Sequence, residues 1–555
     1  MAWGWTMTQK MAGLMLAAAL MVPAAPVCAR NWVKASSAHF TVFSDADAKT
    51  AQAYLLELEQ YRYILDGFYG VTPQDDAATQ KMNVYFVDGF QDLDQVWHDR
   101  PARAEGYVRS CTEGQAMIGL YGLDGTHSGQ NIKREAANTS EEPLFYEYAH
   151  DFLFQHAGKA YPAWFVRGFS EYYAATRIRG DEALIGKGFS GRVDPLVYNR
   201  DFISYEDLLR DTWRPKDGTH YRGTLDYAFH AQSWLLSHYI LSDPDRRTSF
   251  QTFLEAYRSG KDPVPAFEAA FGIKVKDLNH VLTAYLNTFQ ARIYRIADMP
   301  APVVTTTALP ASADKLLLWD AVARTCPARG AHAALLANIR SEAAKYPGDP
   351  FAEDVLARAE ITIGDEQKAI DYLKGRVAAH PEDGEAQFML GHALFLTTAR
   401  NHIASGETAE SQMAAARQAL GKAYLIDPLN AANLYYYSRA LDVPGRPPSD
   451  NMITAAVQAQ MLAPAVDPYA IHAATLLVAR GRFDDAKTML APMASNPSFP
   501  EKAAWAQRII AVIDRQGSQA EVEAALHTPM IRDSGDPTEP PDAQKPAAPP
   551  SGQTS

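Results

Sequence analysis

Tyr146-Glu147-Tyr148-Ala149-His150, followed twelve residues on by Pro162-Ala163-Trp164-Phe165-Val166-Arg167-Gly168-Phe169-Ser170-Glu171-Tyr172, decides how this chain reads. Thr139 and Glu142 have the spacing of a capping box, so a helix is expected over about 140–157, stopping at Gly158. Pro162 suits the first position of a second helix, expected to continue to about Arg177. On a helix, positions four apart share a face. Tyr146 and His150 therefore point the same way with Glu147 beside them, and Arg167 and Glu171 stand one turn apart on the next helix.

Outward from this pair the chain is mixed α and β on the N-terminal side. His39-Phe40-Thr41-Val42-Phe43 alternates and reads as a strand, as does Met82 to Val87. Between them Tyr54, Leu55, Leu58, Tyr61, Ile64 and Leu65 recur at helical spacing, which predicts a long helix over 46–68. Tyr107-Val108-Arg109 and Ala116 to Leu120 read as a hairpin, and the polar stretch 127–137 as a loop. On the C-terminal side, residues 178–200 carry four glycines and read as a small hairpin or loop. Residues 205–294 read as helical and include His230 and His238. Three prolines in 298–312 mark a linker.

The chain has 555 residues, more than one core normally supports, so two or three domains are expected. Its composition, 47% hydrophobic and 21% charged, is that of a globular protein. The formal charge of −13 gives no electrostatic reason to bind nucleic acid or an anionic membrane. Residues 1–29 read as a secretory signal peptide: Lys10, an apolar run from Met11 to Val22 too short to span a bilayer, and Val27-Cys28-Ala29 as the cleavage site. An uncleaved anchor is the alternative. Export, most simply to a bacterial periplasm, places Cys111 and Cys326 in an oxidising compartment; the sequence leaves open whether they meet.

The two motif helices resemble those of gluzincin zinc metallopeptidases of the peptidase-MA-like group. The likeness covers about 31–295 and includes Trp32-Val33-Lys34 and the Ala231-Gln232-Ser233-Trp234 helix. It implies a zincin-like α+β domain over 30–297. In that family the first helix carries H-E-x-x-H, two ligands with a general base beside the first, and the second helix supplies a ligand Glu. By position, Tyr146 replaces the first ligand, Glu147 keeps the base position, His150 keeps the second ligand and Arg167 replaces the ligand Glu. A peptidase zinc needs three protein ligands and an open position. Phenol titrates near 10 and is a rare ligand, and Arg never loses its proton. No cofactor is therefore expected, and Glu147 is expected to be idle. The Arg167 guanidinium is expected to pair with Glu147 or Glu171 in place of the metal. The alternative is an active peptidase with a relocated zinc on His150, Glu171 and a third residue such as His230, with Glu147 as base. A metal-free enzyme of another class reusing Glu147 and His150 is a third possibility.

Beyond the linker, Pro347, Pro381, Pro428, Pro464 and Pro497 fall 34, 47, 36 and 33 residues apart. Gly364-Asp365 and Gly481-Arg482 open similar turns, and an insertion near 397–410 accounts for the long interval. These features resemble tetratricopeptide repeats, whose period is about 34 residues, and imply an all-α repeat domain over 313–528. A Pro-rich tail over 529–555 is expected to be disordered. The whole reads as a periplasmic pseudopeptidase whose cleft and repeats bind a protein or peptide, with no membrane span after cleavage.

Overall fold

The computed structural model describes residues 30–71, 79–87, 89–96, 106–120, 143–156, 161–188, 190–198, 202–213, 224–496 and 499–530. The expected leader, the loop at 127–137, the capping pair Thr139 and Glu142, the side chain of His156 and nearly all of the tail lie outside them.

The chain opens with β1 (Val33–Ser36), β2 (Phe40–Ser44), α1 (Ala48–Tyr69), β3 (Met82–Val87), α2 (Phe90–Val96) and the hairpin β4 (Gly106–Cys111) and β5 (Gly114–Leu120). The motif helices are α3 (Pro143–His156) and α4 (Ala163–Ala174). After them come β6 (Arg177–Arg179), β7 (Glu182–Ile185), α5 (Ser190–Tyr198), α6 (Tyr205–Arg210), α7 (Thr224–Leu241), α8 (Pro244–Arg258), α9 (Pro263–Phe271) and α10 (Val275–Leu286). β8 (Arg292–Arg295), β9 (Thr305–Ala308) and α11 (Ala313–Arg324) follow.

Six strands form one sheet in the order β4-β5-β3-β2-β1-β9, with β2, β3 and β5 parallel and the others antiparallel to their neighbours. Side chains alternate across a strand, and both faces of this sheet are covered. Val84, Phe86 and Met117 pack into a core with Leu55 and Leu58 of α1 and Phe145, Tyr148 and Phe152 of α3. Tyr85, Val87 and Ile118 pack on the opposite side with Trp32, Leu93 of α2, and Leu317 and Ala321 of α11. The expected apolar stripe of α1 is buried, Asp47 caps its start and Gly70 (φ 70°) ends it in the left-handed conformation.

Three expectations are corrected. Residues 298–312 are more than a linker, because β9 within them extends the N-terminal sheet beside β1. Residues 178–200 hold a hairpin and then the helix α5, and the end of 205–294 is the strand β8, which joins β6 and β7 in a three-stranded sheet. Strands of three or four residues lack the run length that marks an element in sequence.

From His332 to Leu526 the described chain is a succession of helices, each packed on the next, in a repeat-like array. Pro347, Pro381, Pro428 and Pro464 all fall between helices. Asp365 caps the helix Glu366–Ala379 after Gly364, and Gly481 takes φ 70° before the helix Phe483–Ala494. The long interval contains residues 400–408, which connect the helices Gly384–Ala399 and Ala409–Ile426. The array is tied to the sheet. Asp320 of α11 is held by Arg324 (2.8 Å) and Arg358 (2.7 Å). Cys111 and Cys326 form a disulfide with Cα atoms 6.1 Å apart. The β4–β5 turn places Glu113 against the Tyr436 hydroxyl (2.6 Å) and His392 (3.3 Å) of the array. Among the described residues no helix is long and apolar enough to cross a membrane.

Candidate functional site

The site is built where α3, α4, α5 and α7 meet. Gly168 of α4 permits the closest approach: a Cβ there would overlap the Ser237 hydroxyl and the Ser233 carbonyl of α7. Trp164, Phe165 and Phe169 of α4 are buried in the domain core, which fixes the rotation of that helix. Arg167 and Glu171 thereby face α3 and α7.

Tyr146 and Arg167, the two residues read above as replacing ligands, meet each other. Arg167 Nη1 donates to the Tyr146 hydroxyl, and its guanidinium carbon lies 5.5 Å from the Tyr146 ring centre. This corrects the expected pairing of Arg167 with Glu147 or Glu171. Among the described residues the hydrogen bond of Arg167 goes to the phenol, and its effect on both carboxylates is through space. Burial opposes the Arg167 charge, but Tyr146, Glu171 and Glu147 together hold its pKa above the ordinary value.

Glu171 is fully buried and its Oε1 accepts from Arg192 Nη2 at 2.6 Å and meets His230 Nδ1 at 2.9 Å. Arg192, on α5, is the functional residue the sequence reading missed. It lies in the glycine-bearing stretch read as a hairpin or loop, and no local pattern there marks it as a partner of Glu171. Glu171 and His230 thus come together as the relocated-metal alternative requires, but a guanidinium already occupies the same carboxylate oxygen. Among the described residues no three His, Cys, Asp or Glu gather as a metal-holding group. His150 sits edge-on to Phe154, ring centres 4.7 Å apart, and its Nε2 is buried without a hydrogen-bond partner. Burial, then Arg167, pushes its pKa down to about 3. Burial, then Arg167, brings His230 to about 4 against the opposing pull of Glu171. Both rings are neutral near pH 7. His238, by contrast, is a satisfied helix histidine between Gly186 O (2.8 Å) and the Tyr285 hydroxyl (2.7 Å).

Burial raises Glu147 to about 7; Arg167 opposes the rise and Asp151, one turn on, adds to it. Asp151 itself is held by Gln115 and Gln155, both at 3.1 Å. A folded pKa above the ordinary 4.5 means the native state holds this proton more tightly. Its stabilising contribution is complete below pH 4.5 and is lost as pH rises towards 7. One pKa unit is worth about 1.4 kcal/mol, and partial solvent access reduces the swing to about 1–2 kcal/mol. Glu147→Gln is therefore expected to flatten the stability profile between pH 4.5 and 7, measured by urea denaturation. A profile as steep as that of the unchanged protein would place the titrating group elsewhere.

No protein-family model, curated protein or solved structure matches the chain. What the fold and site define is a mixed α/β sheet domain joined to a helical array, with a cluster of arginines, histidines and buried carboxylates between the helices of the sheet domain.

Proposed function

We propose that this chain is an exported, periplasmic, gluzincin-like pseudopeptidase. Its cleft and tetratricopeptide-like repeats bind a protein or peptide without cleaving it. The carrying observation is the Arg167–Tyr146 hydrogen bond. The two residues that stand in for family ligands satisfy one another, and one of them brings a permanent positive charge to the place a cation would take. Helical arrays of this kind present extended surfaces suited to partner binding.

The test is zinc content of the purified chain by mass spectrometry after dialysis against trace zinc. The unchanged protein is expected to hold well under one zinc per chain. The double variant Tyr146→His, Arg167→Glu recreates the family's ligand set around His150 and is expected to gain about one zinc per chain. The relocated-site reading is favoured by one observation, the 2.9 Å contact of His230 with Glu171. A tightly held zinc in the unchanged chain, lost in His230→Ala, would establish that reading and overturn the pseudopeptidase.

A further inference from the structure

Three helices of the array, Gly384–Ala399, Ala431–Ala440 and Asp467–Ala479, each lend a side chain to the turn between β4 and β5. The Tyr436 hydroxyl donates to Glu113 at 2.6 Å, and His392 Nδ1 lies 3.3 Å from the other Glu113 oxygen. The Tyr469 hydroxyl donates to the Thr112 carbonyl at 3.1 Å. His392 stacks on Tyr436 with ring centres 3.8 Å apart, and Tyr435 packs on Tyr469 at 4.8 Å. All four rings are buried. A buried hydroxyl needs a hydrogen-bond partner, and for Tyr436 and Tyr469 the turn supplies it. The sheet domain thus seats its own turn on an aromatic face of the array.

The disulfide fastens that turn. Cys111 ends β4, and its Sγ accepts from the Glu113 amide at 3.4 Å. Its bond to Cys326 ties the turn to the segment after α11. Cys111 is buried and Cys326 partly exposed, which leaves the Cys326 side as the approach for a reductant. Cys326 holds φ at 51°, a left-handed conformation that a residue with a side chain rarely adopts. Once the bond is broken, nothing covalent between the two segments keeps it there.

We propose that the Cys111–Cys326 bond is a redox-sensitive clasp. Oxidised, it holds Thr112 and Glu113 on the array; reduced, it lets the turn lift and uncovers Tyr436, Tyr469 and His392. A dithiol drives the step. Its two thiols are oxidised to a disulfide, their two electrons break the bond between the cysteine sulfurs, and the two protons end on the Cys111 and Cys326 thiols. The pairing of Asp320 on α11 with Arg358 of the array does not pass through the bridge, so the array stays joined to the sheet domain. The inference rests on the reading of the array as a binding surface and gives that surface its regulation.

The test compares the full chain before and after treatment with dithiothreitol, the excess removed. Tyrosine hydroxyls are acetylated with N-acetylimidazole and the modified residues located by mass spectrometry. Tyr436 and Tyr469 are expected to react about ten-fold faster in the reduced chain, the mark of a local opening. Tyr61, buried in the sheet core with its hydroxyl on the Phe145 carbonyl at 2.9 Å, is expected to stay protected in both states. Cys111→Ser, Cys326→Ser is expected to react like the reduced chain without any dithiol; should that variant not fold, the unchanged chain still gives the answer. Equal protection of Tyr436 and Tyr469 in the two states, a bridge that resists excess dithiothreitol in the folded chain, or a folded Ser variant protected like the oxidised chain would overturn the proposal. So would Tyr61 reacting in step with the other two, because that marks loss of the fold instead of release of the turn. None of these outcomes touches the zinc measurement, so a failure here is separable from failure of the pseudopeptidase reading.

Discussion

Replacing Cys111 and Cys326 together by Ser is expected to destabilise the protein by about 5 kcal/mol, because the chain-entropy model assigns about 4.7 kcal/mol to a closed loop of 100 residues and slightly more to longer ones. Here the bridged residues are 215 positions apart. The bridge fastens the end of β4 to the segment just after α11, so the loop it closes runs from β5 to the end of α11. It also fixes the neighbouring turn, whose Glu113 reaches Tyr436 and whose Thr112 carbonyl accepts from the Tyr469 hydroxyl at 3.1 Å. The measurement is urea denaturation of the double Ser variant against the oxidised protein. The same loss is expected on adding a thiol reductant to the unchanged chain. A difference below about 1 kcal/mol would mean that the unfolded chain is already held compact, or that native strain cancels the gain.

Glu171→Ala is expected to cost about 3–5 kcal/mol, the range for removing one partner of a buried ion pair. The loss comes less from the missing attraction than from Arg192, whose side chain is 11% exposed and would keep its charge without its carboxylate. Glu171→Gln is expected to cost less, since an amide oxygen still accepts from Arg192. Glu171→Ala, Arg192→Met is expected to recover part of the loss, because removing both members of the pair removes the buried charge that Glu171 answers. Chemical denaturation of these variants and of Arg192→Met alone decides the matter. Additive losses in the double variant would show that the two side chains do not act as a pair.

The helix α1 was legible because six apolar residues from Tyr54 to Leu65 repeat at helical spacing within a helix of 22 residues. The strands β2, β3 and β5 and the β4–β5 hairpin were legible for a similar reason, since alternation or a continuous apolar run survives whichever neighbour the strand finds. The short strands β8 and β9 were not, because four residues carry too little pattern and their pairing is non-local. The site divides in the same way. Tyr146, Glu147, His150, Arg167 and Glu171 were singled out by spacing along two helices. Arg192 was missed, since nothing in local sequence links it to Glu171 twenty-one positions earlier.

The sequence by itself determined which residues occupy the motif positions, the long helices and the helical array, because these depend on spacing within one segment. Only the tertiary structure decided partnership: that Arg167 turns to Tyr146, that Glu171 takes Arg192 and His230, that Cys111 meets Cys326, and that residues 305–308 close the edge of the sheet. The physical reason is range. Helical periodicity is set by neighbours three and four residues apart. A buried charge instead pairs with whichever opposite charge the packed core brings within hydrogen-bonding distance, whatever their separation in the chain.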